Sequence, residues 1–241
     1  MLSAEKIKSN LSEKYHNIPI TVFDTVDSTN TQAKKSDLKQ GVFAARHQSE
    51  GRGRQGKSFY SPLDTGLYMS VILPLTPMEA YEFSLTAAAA VAAVRAIYKV
   101  CGIRPKIKWV NDLYLNGKKI AGILTEADHD RVIVGIGINI STTIFPDDIP
   151  LGGSLEKSDL SPSQLCAEIA QNLYEIIQND KSDFMEEYKN NSVLIGEKIK
   201  FEKDGNLYYA KALRIEDDGT LTVLCDGQEL TLHSGEVHIV M

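Results

Sequence analysis

Asn116-Gly117 lies between two strand-like runs, Leu113-Tyr114-Leu115 and Lys119 to Glu126. A two-residue Asn-Gly connection favours a tight hairpin, because both turn residues must take positive φ. A further apolar run, Arg131 to Ile140, follows directly. These segments commit the middle third of the chain to antiparallel sheet. Lys106 to Val110, just before them, reads as one more strand.

The flanks add helices on either side. Residues 3–16 read as a short helix with Ser3 as its cap, and Ile20 to Phe23 as a strand. Ser28-Thr29-Asn30 offers caps for a helix reaching Leu38. Val42 to His47 and Leu67 to Leu73 read as strands, the second stopped by Pro74, with a Gly-, Ser-, Arg- and Lys-rich loop over 48–66 between them. The longest helix runs from Glu79 to Val100 and closes on Gly102; another starts at Ser161-Pro162 and repeats Leu165, Ile169, Leu173, Ile176 and Ile177 at helical spacing. After Tyr188 the pattern changes to short strands near 193–202, 207–215, 220–224, 228–233 and 236–240, separated by Asp-Gly and Ser-Gly turns. That pattern predicts a small β-barrel. The expected plan is α+β: a mixed or antiparallel sheet with flanking helices over 1–188, and a small barrel over 189–241. A core of about 50 residues is marginal alone, so the barrel is expected to pack on the larger part.

Composition narrows the classes. Hydrophobic residues make up 43% and charged residues 24% of 241, ordinary for a soluble globular chain and against disorder or a membrane protein. The longest weakly polar run, Ser84 to Val94, falls short of the ~20 residues that span a bilayer. No apolar stretch or cleavage site follows Lys6 and Lys8, so no signal peptide is read. Lys and Arg number 26 against 32 Asp and Glu, a net charge of −6, which gives no nucleic-acid footprint. Cys101, Cys166 and Cys225 are odd in number and form no CxxC, which suits reduced core residues of a cytoplasmic protein.

Gly51-Arg52-Gly53-Arg54-Gln55-Gly56 matches GxGxxG in spacing. A dinucleotide fold needs a helix opening at that loop, yet Ser61-Pro62 and a strand follow. Kinase HRD and DFG motifs are absent. What remains is a glycine loop with two guanidiniums, suited to phosphate or carboxylate oxygens, or else a solvated surface loop. On a strand, Lys106 and Lys108 share a face. Asn111 and Asp112 stand where that strand ends, an accessible place for a carboxylate holding Mg²⁺. Lys119 returns along the hairpin toward Asp112. Lys108 and Lys119 read equally as the polar face of a hairpin. Ser28-Thr29-Asn30 serves as a helix cap, as a grip on a small polar ligand, or both. Gly135 and Gly137 within one strand mark a close approach of a ligand or of other chain. No GxSxG elbow or metal-ligand histidine spacing occurs.

In this order the segments resemble biotin–protein ligases: Ser28-Thr29-Asn30, Gln48 with Gly51 to Gly56, Lys108-Trp109-Val110-Asn111-Asp112, Lys119-Ile-Ala-Gly-Ile-Leu-Thr-Glu126 and Gly135-Ile-Gly-Ile-Asn139. The family usually has proline where Val110 stands. The resemblance implies the biotin synthetase-like fold, related to class II aminoacyl-tRNA synthetases, with a C-terminal SH3-like barrel. It implies a two-step reaction. Biotin and Mg·ATP give biotinyl-5′-adenylate, and a lysine of a biotin carboxyl carrier protein then displaces AMP. It implies biotin binding by Ser28, Thr29, Asn30, Gln48 and Lys119, and nucleotide or adenylate binding by Gly51, Arg52, Gly53, Arg54, Gly56, Lys108, Asn111 and Asn139. It implies catalysis by Lys119, Arg54 and Asp112, with Asp112 also the Mg²⁺ candidate. Some relatives carry an N-terminal DNA-binding domain, and the 27 residues before Ser28 are too few for one. Neither DNA nor a membrane is expected as a partner. A homodimer is open, with the strand after Arg131 as its pairing edge. Lipoate–protein ligase, a noncatalytic ligand sensor and a carrier-binding module are the alternatives.

Overall fold

The computed structural model describes residues 1–74, 82–178, 181–233 and 235–240. Its larger sheet has seven strands: β1 (Ile20–Val26), β2 (Gly41–Gln48), β3 (Gly66–Pro74), β4 (Lys106–Lys108), β5 (Asp112–Leu115), β6 (Lys118–Asp128) and β7 (Arg131–Asn139). Their order is β1-β2-β3-β7-β6-β5-β4. β1 runs parallel to β2, and the remaining neighbours are antiparallel, so the sheet is mixed. The Asn-Gly hairpin forms as the sequence predicts, with Asn116 and Gly117 both at positive φ.

The helices are α1 (Ala4–Asn10), α2 (Thr29–Lys35), α3 (Glu82–Cys101), α4 (Pro162–Ile176) and α5 (Lys181–Asn190). α3 packs on α4, α5 and β6. Its alanines 87–90, 92 and 93 are buried, and these short side chains let its neighbours close in. α2 packs instead on β2, β3 and β7. Strand alternation explains how both are served. Val132 and Val134 of β7 join the core under α3. Ile133 joins a small cluster with Ala33, Phe43 and Ile72 under α2. Strands covered on both faces read as unbroken apolar runs.

Several expected boundaries move. The first helix stops at Asn10, because Leu11 turns extended and buries its side chain; Glu13–Tyr15 then forms a separate 3-10 turn. α2 ends at Lys35 rather than Leu38, because Ser36 becomes extended. Residues 79–81 of the expected long helix lie outside the described residues. β4 is three residues long, not five, and the Trp109–Val110 peptide that follows is cis. Lys108 is buried and Lys106 exposed, although they alternate onto one face. From Phe83 to Cys101, α3 is long and apolar enough to cross a membrane, with mean hydropathy 1.4, but 72% of that stretch is buried inside the protein. The apolar run thus continues past Val94, through Arg95 and Lys99. β7 is no dimer edge: it is paired along its length with β3 on one side and β6 on the other. The outer strands are β1 and β4.

The C-terminal part forms a second, five-stranded antiparallel sheet from β8 (Lys198–Lys203), β9 (Asn206–Ile215), β10 (Leu221–Cys225), β11 (Gln228–Leu232) and β12 (Val237–Ile239), in the order β11-β10-β9-β8-β12. Its apolar residues Ile199, Phe201, Ala212 and Val223 belong to the same core cluster as α3 and the large sheet. The joint between the two sheets is specific. The Trp109 indole donates to the Gly219 carbonyl at 2.9 Å, and Gly219 rests against Phe83, where an added Cβ would come within 1.7 Å of the ring.

Candidate active site

A cleft of about 960 Å³, open to solvent, runs over the face of the large sheet that carries α2. At one end, Ser28, Thr29 and Asn30 are buried at the start of α2. Ser28 occupies the cap position with extended backbone, but its side chain makes no cap bond. The Asp27 carboxylate instead accepts from the Ser28 N–H at 2.6 Å and from Gln32 at 2.7 Å. The Gln32 bond is the chief reason that the Asp27 carboxyl sits below its usual range. Gln48, at the end of β2, accepts the Thr29 N–H at 2.8 Å and donates to Ser61 at 3.0 Å. Asn30 lies across Gly135, and a Cβ there would come within 2.3 Å of its Oδ1.

The middle of the floor is glycine. Gly122 of β6 stands opposite Gly137 of β7. The Phe59 ring lies over both, and a Cβ at Gly137 would meet it at 2.4 Å. The close approach expected at Gly135 and Gly137 is therefore made by Asn30 and Phe59.

The far end carries the charges. The Lys119 ammonium meets Asp112 at 2.7 Å, as the hairpin geometry predicts. Arg54 donates to Asn111 at 3.4 Å, and Asn111 is anchored by donating to the Ile123 carbonyl at 2.8 Å. The Lys108 ammonium lies 5.2 Å from the Tyr114 ring. Burial lowers the Lys108 pKa, partly countered by Asp112, and burial raises the Tyr114 phenol to about 12.

The glycine loop is folded on itself. Gly53 donates to the Lys57 carbonyl at 2.7 Å, Phe59 to the Gly51 carbonyl at 2.8 Å, and Arg54–Gly56 makes a 3-10 turn. Arg52 does not face the Lys119 end. It pairs with Glu126 at 3.1 Å. Gly53, Arg52 and Arg54 line the cleft, whereas Gly51, Gly56 and Asn139 do not. Gly51 is instead needed for close packing, since a Cβ there would come within 2.3 Å of the Phe59 carbonyl oxygen. Asn139 donates to the Gly153 carbonyl at 2.9 Å.

Residues 22–142 match the biotin/lipoate A/B protein ligase family. The chain belongs to that family. Along 99% of its length it is 30% identical to the bifunctional ligase/repressor BirA of Bacillus subtilis, 79% of which it covers. It is 26% identical to the biotin–[acetyl-CoA-carboxylase] ligase of Mycobacterium tuberculosis, over 85% of this chain and 81% of that protein. In fold it is similar to the biotin protein ligase of Aquifex aeolicus solved with biotin and ATP, with a TM-score of 0.79 and 24% identity over 92% of this chain and 99% of that one.

Within this family member, sequence reasoning left two cleft residues, Phe59 and Glu236, and their neighbour Glu126 unassigned. Phe59 had no signal. Glu126 closed a quoted motif without a role. Glu236 enters from the C-terminal sheet, where it lines the cleft beside Gly235 and Val237 and pairs with Lys57. The Lys57 hydrogen bond holds the Glu236 carboxyl below its usual range. Only the fold brings β12 next to the loop.

Proposed function

We propose that this chain is an ATP-dependent biotin–protein ligase, joining biotin to a specific lysine of a biotin carboxyl carrier protein through biotinyl-5′-adenylate. The observation that carries the reading is one continuous cleft with uncharged hydrogen-bonding groups at the Ser28–Asn30 end and Lys119, Asp112 and Arg54 at the other. Biotin has the matching polarity: a neutral ureido ring at one end and a carboxylate at the other.

Ser28, Thr29, Asn30 and Gln48 hold the ureido ring, and the Phe59 ring, seated on Gly122 and Gly137, gives the carbon chain an apolar surface. Lys119 steers the carboxylate. In the first step a carboxylate oxygen attacks the α-phosphorus of ATP and pyrophosphate leaves. Arg54, Lys119 and Lys108 offset the charge that gathers there, an effect for which one fixed donor typically supplies about 3 kcal/mol. Gly53 borders the adenylate, with Gly51 and Gly56 shaping the loop around it, Asn139 acting through the 153 turn, and Arg52 held instead by Glu126 at the other end. In the second step the carrier amine attacks the acyl carbon and AMP leaves, with Asp112 placed to take the ammonium proton. Among the described residues no three His, Cys, Asp or Glu side chains converge as a metal cage. Asp112 with Asn111 fits Mg²⁺ in the mode where substrate phosphates and water complete the shell, and there the ion would neutralise phosphate charge.

We read residues 189–241 as a second domain of SH3-like barrel type. The support is that the last strand, β12, pairs beside the first, β8, at one end of the five-strand order. The free cysteines suit a reducing compartment such as the cytoplasm.

The test is purified protein with Mg·ATP, a carrier domain, and either biotin or lipoate. Pyrophosphate release and carrier labelling with biotin alone are the expected result. Use of lipoate in place of biotin refutes the substrate, and absence of turnover with both refutes the reading.

A further inference from the structure

Glu126 lies near the end of β6, half-buried beside the ureido end of the cleft, and it takes donors from three directions. Asn30 Nδ2 donates to Oε2 at 2.9 Å, Lys34 approaches Oε1 at 2.7 Å, and Arg52 pairs at 3.1 Å. On its other side, Asn30 Oδ1 lies 2.6 Å from Ser70 Oγ, and the same Ser70 hydroxyl lies 2.7 Å from Thr29 Oγ1. Ser70 is fully buried.

Proton counting fixes the direction of this chain. An ionised carboxylate accepts only, so Asn30 must turn its amide nitrogen toward Glu126 and its carbonyl toward Ser70. Burial raises the Glu126 pKa, but bonds from Lys34 and Asn30 outweigh it, and the carboxyl sits below its usual range. It is therefore ionised at neutral pH. A serine hydroxyl has one proton. Ser70 gives it to Asn30 and so must accept from Thr29. Gln48 Oε1, which already takes the Thr29 N–H, lies 3.2 Å from the same Thr29 hydroxyl, farther than Ser70 Oγ at 2.7 Å; on either acceptor the Thr29 proton is held by the protein. Thr29 Oγ1, having donated inward, offers only lone pairs to the cleft it lines.

We infer that Glu126 is a positioning residue that orients Asn30, Ser70 and Thr29 in series, so that Thr29 meets the ligand as a hydrogen-bond acceptor and selects an N–H donor. The inference rests on the biotin reading above, whose ureido ring carries such N–H groups. It explains why a carboxylate stands beside an uncharged pocket. Gly135 belongs to the same device, since only glycine leaves Asn30 room to reach both partners.

The test is a double-mutant cycle with Glu126→Gln and Ser70→Ala. Asn30 hydrogen-bonds to both of these side chains and so links them. In Glu126→Gln the new amide can donate, Asn30 is free to reverse, and the series loses its direction. Ser70→Ala cuts it. Each single variant should weaken biotin binding, measured by calorimetry without ATP, by about tenfold, equivalent to ~1.4 kcal/mol. The double variant should be no weaker than the worse single one. Independent losses would multiply to about a hundredfold and would overturn the inference. The same cycle on thermal unfolding of the unliganded protein should also be non-additive. Coupled stability with additive binding refutes the positioning role while leaving the ligase reading intact. Coupled stability in a wild type that binds no biotin refutes the ligase reading, and the acceptor role falls with it.

Discussion

Replacing Gly219 by alanine tests whether the joint between the two sheets is tight. Gly219 has φ +87, and a Cβ there would lie 1.7 Å from Phe83 Cδ1. Gly227 provides the control, with φ +79 and nothing within 4 Å of its added Cβ. Both variants meet the same backbone penalty, about 1–2 kcal/mol for a left-handed non-glycine residue. Only Gly219→Ala must also displace a ring, and Phe83 packs edge-on against buried Tyr188 at 5.6 Å. Overpacking of this kind adds about 1–3 kcal/mol. Moving the 219 carbonyl also strips the buried Trp109 indole of its acceptor, a further ~1–3 kcal/mol. Gly219→Ala should therefore lie roughly 2–6 kcal/mol below Gly227→Ala, which in a chain of this size is about 4–24 °C in Tm. Trp109 is two residues from Asn111, so the rate of pyrophosphate release should fall in Gly219→Ala and stay unchanged in Gly227→Ala. Thermal unfolding and an adenylation assay on both variants decide the matter. Equal losses of stability would refute the packing argument.

Lys119→Ala should lower adenylation by about 10²–10³-fold, the scale for one fixed donor at a developing anion, while calorimetry still detects biotin binding. Gly135→Ala should cost about 2–4 kcal/mol and weaken biotin binding, because Asn30 is hydrogen-bonded on both sides and cannot step aside without losing one partner; a wild-type Tm would contradict this. Lys108→Met should stabilise the protein at neutral pH while slowing adenylation. The sign follows from linkage. Burial puts the Lys108 pKa below 10.5 in the folded state, so the unfolded chain binds that proton more tightly and wild-type stability rises as pH climbs toward 10.5. Chemical denaturation of both proteins from pH 7 to 10 should show the gap narrowing, and a constant gap would dismiss buried charge as its source.

Residues whose neighbours are close in sequence were legible before the fold. Asp112 and Lys119 are joined by one tight hairpin, so strand alternation alone predicted their meeting. The antiparallel middle and the short C-terminal strands followed from turn chemistry in the same way. Long-range partners were not legible. Glu236 reaches the cleft only because β12 is carried beside a loop some 180 residues earlier in the chain. Phe59 reads as an ordinary loop aromatic until the two glycines beneath it are seen together. Arg52 and Arg54 look equivalent in sequence, yet Arg52 stands before the 3-10 turn and pairs with Glu126, while Arg54 opens that turn and reaches Asn111. Helix ends were also misread where a buried side chain, such as Leu11, outweighed local propensity.

The seven-residue helix α2 is too short to be stable alone. Its first turn supplies Thr29 and Asn30 to the pocket. Its last turn is gripped by Arg131, whose guanidinium donates to the carbonyls of Lys34, Ser36 and Leu38 at 2.6–2.8 Å and is itself held by Asp128. Seven residues at ~1.5 Å each make a rod of about 10 Å, too short to bend. Arg131 at the last turn and Asn30 at the first are thus joined by one short, stiff rod. A residue that touches no ligand holds the far end of the lever on which the pocket is mounted, and substitutions around the β6–β7 turn offer a way to tune biotin affinity without altering a single group in the cleft.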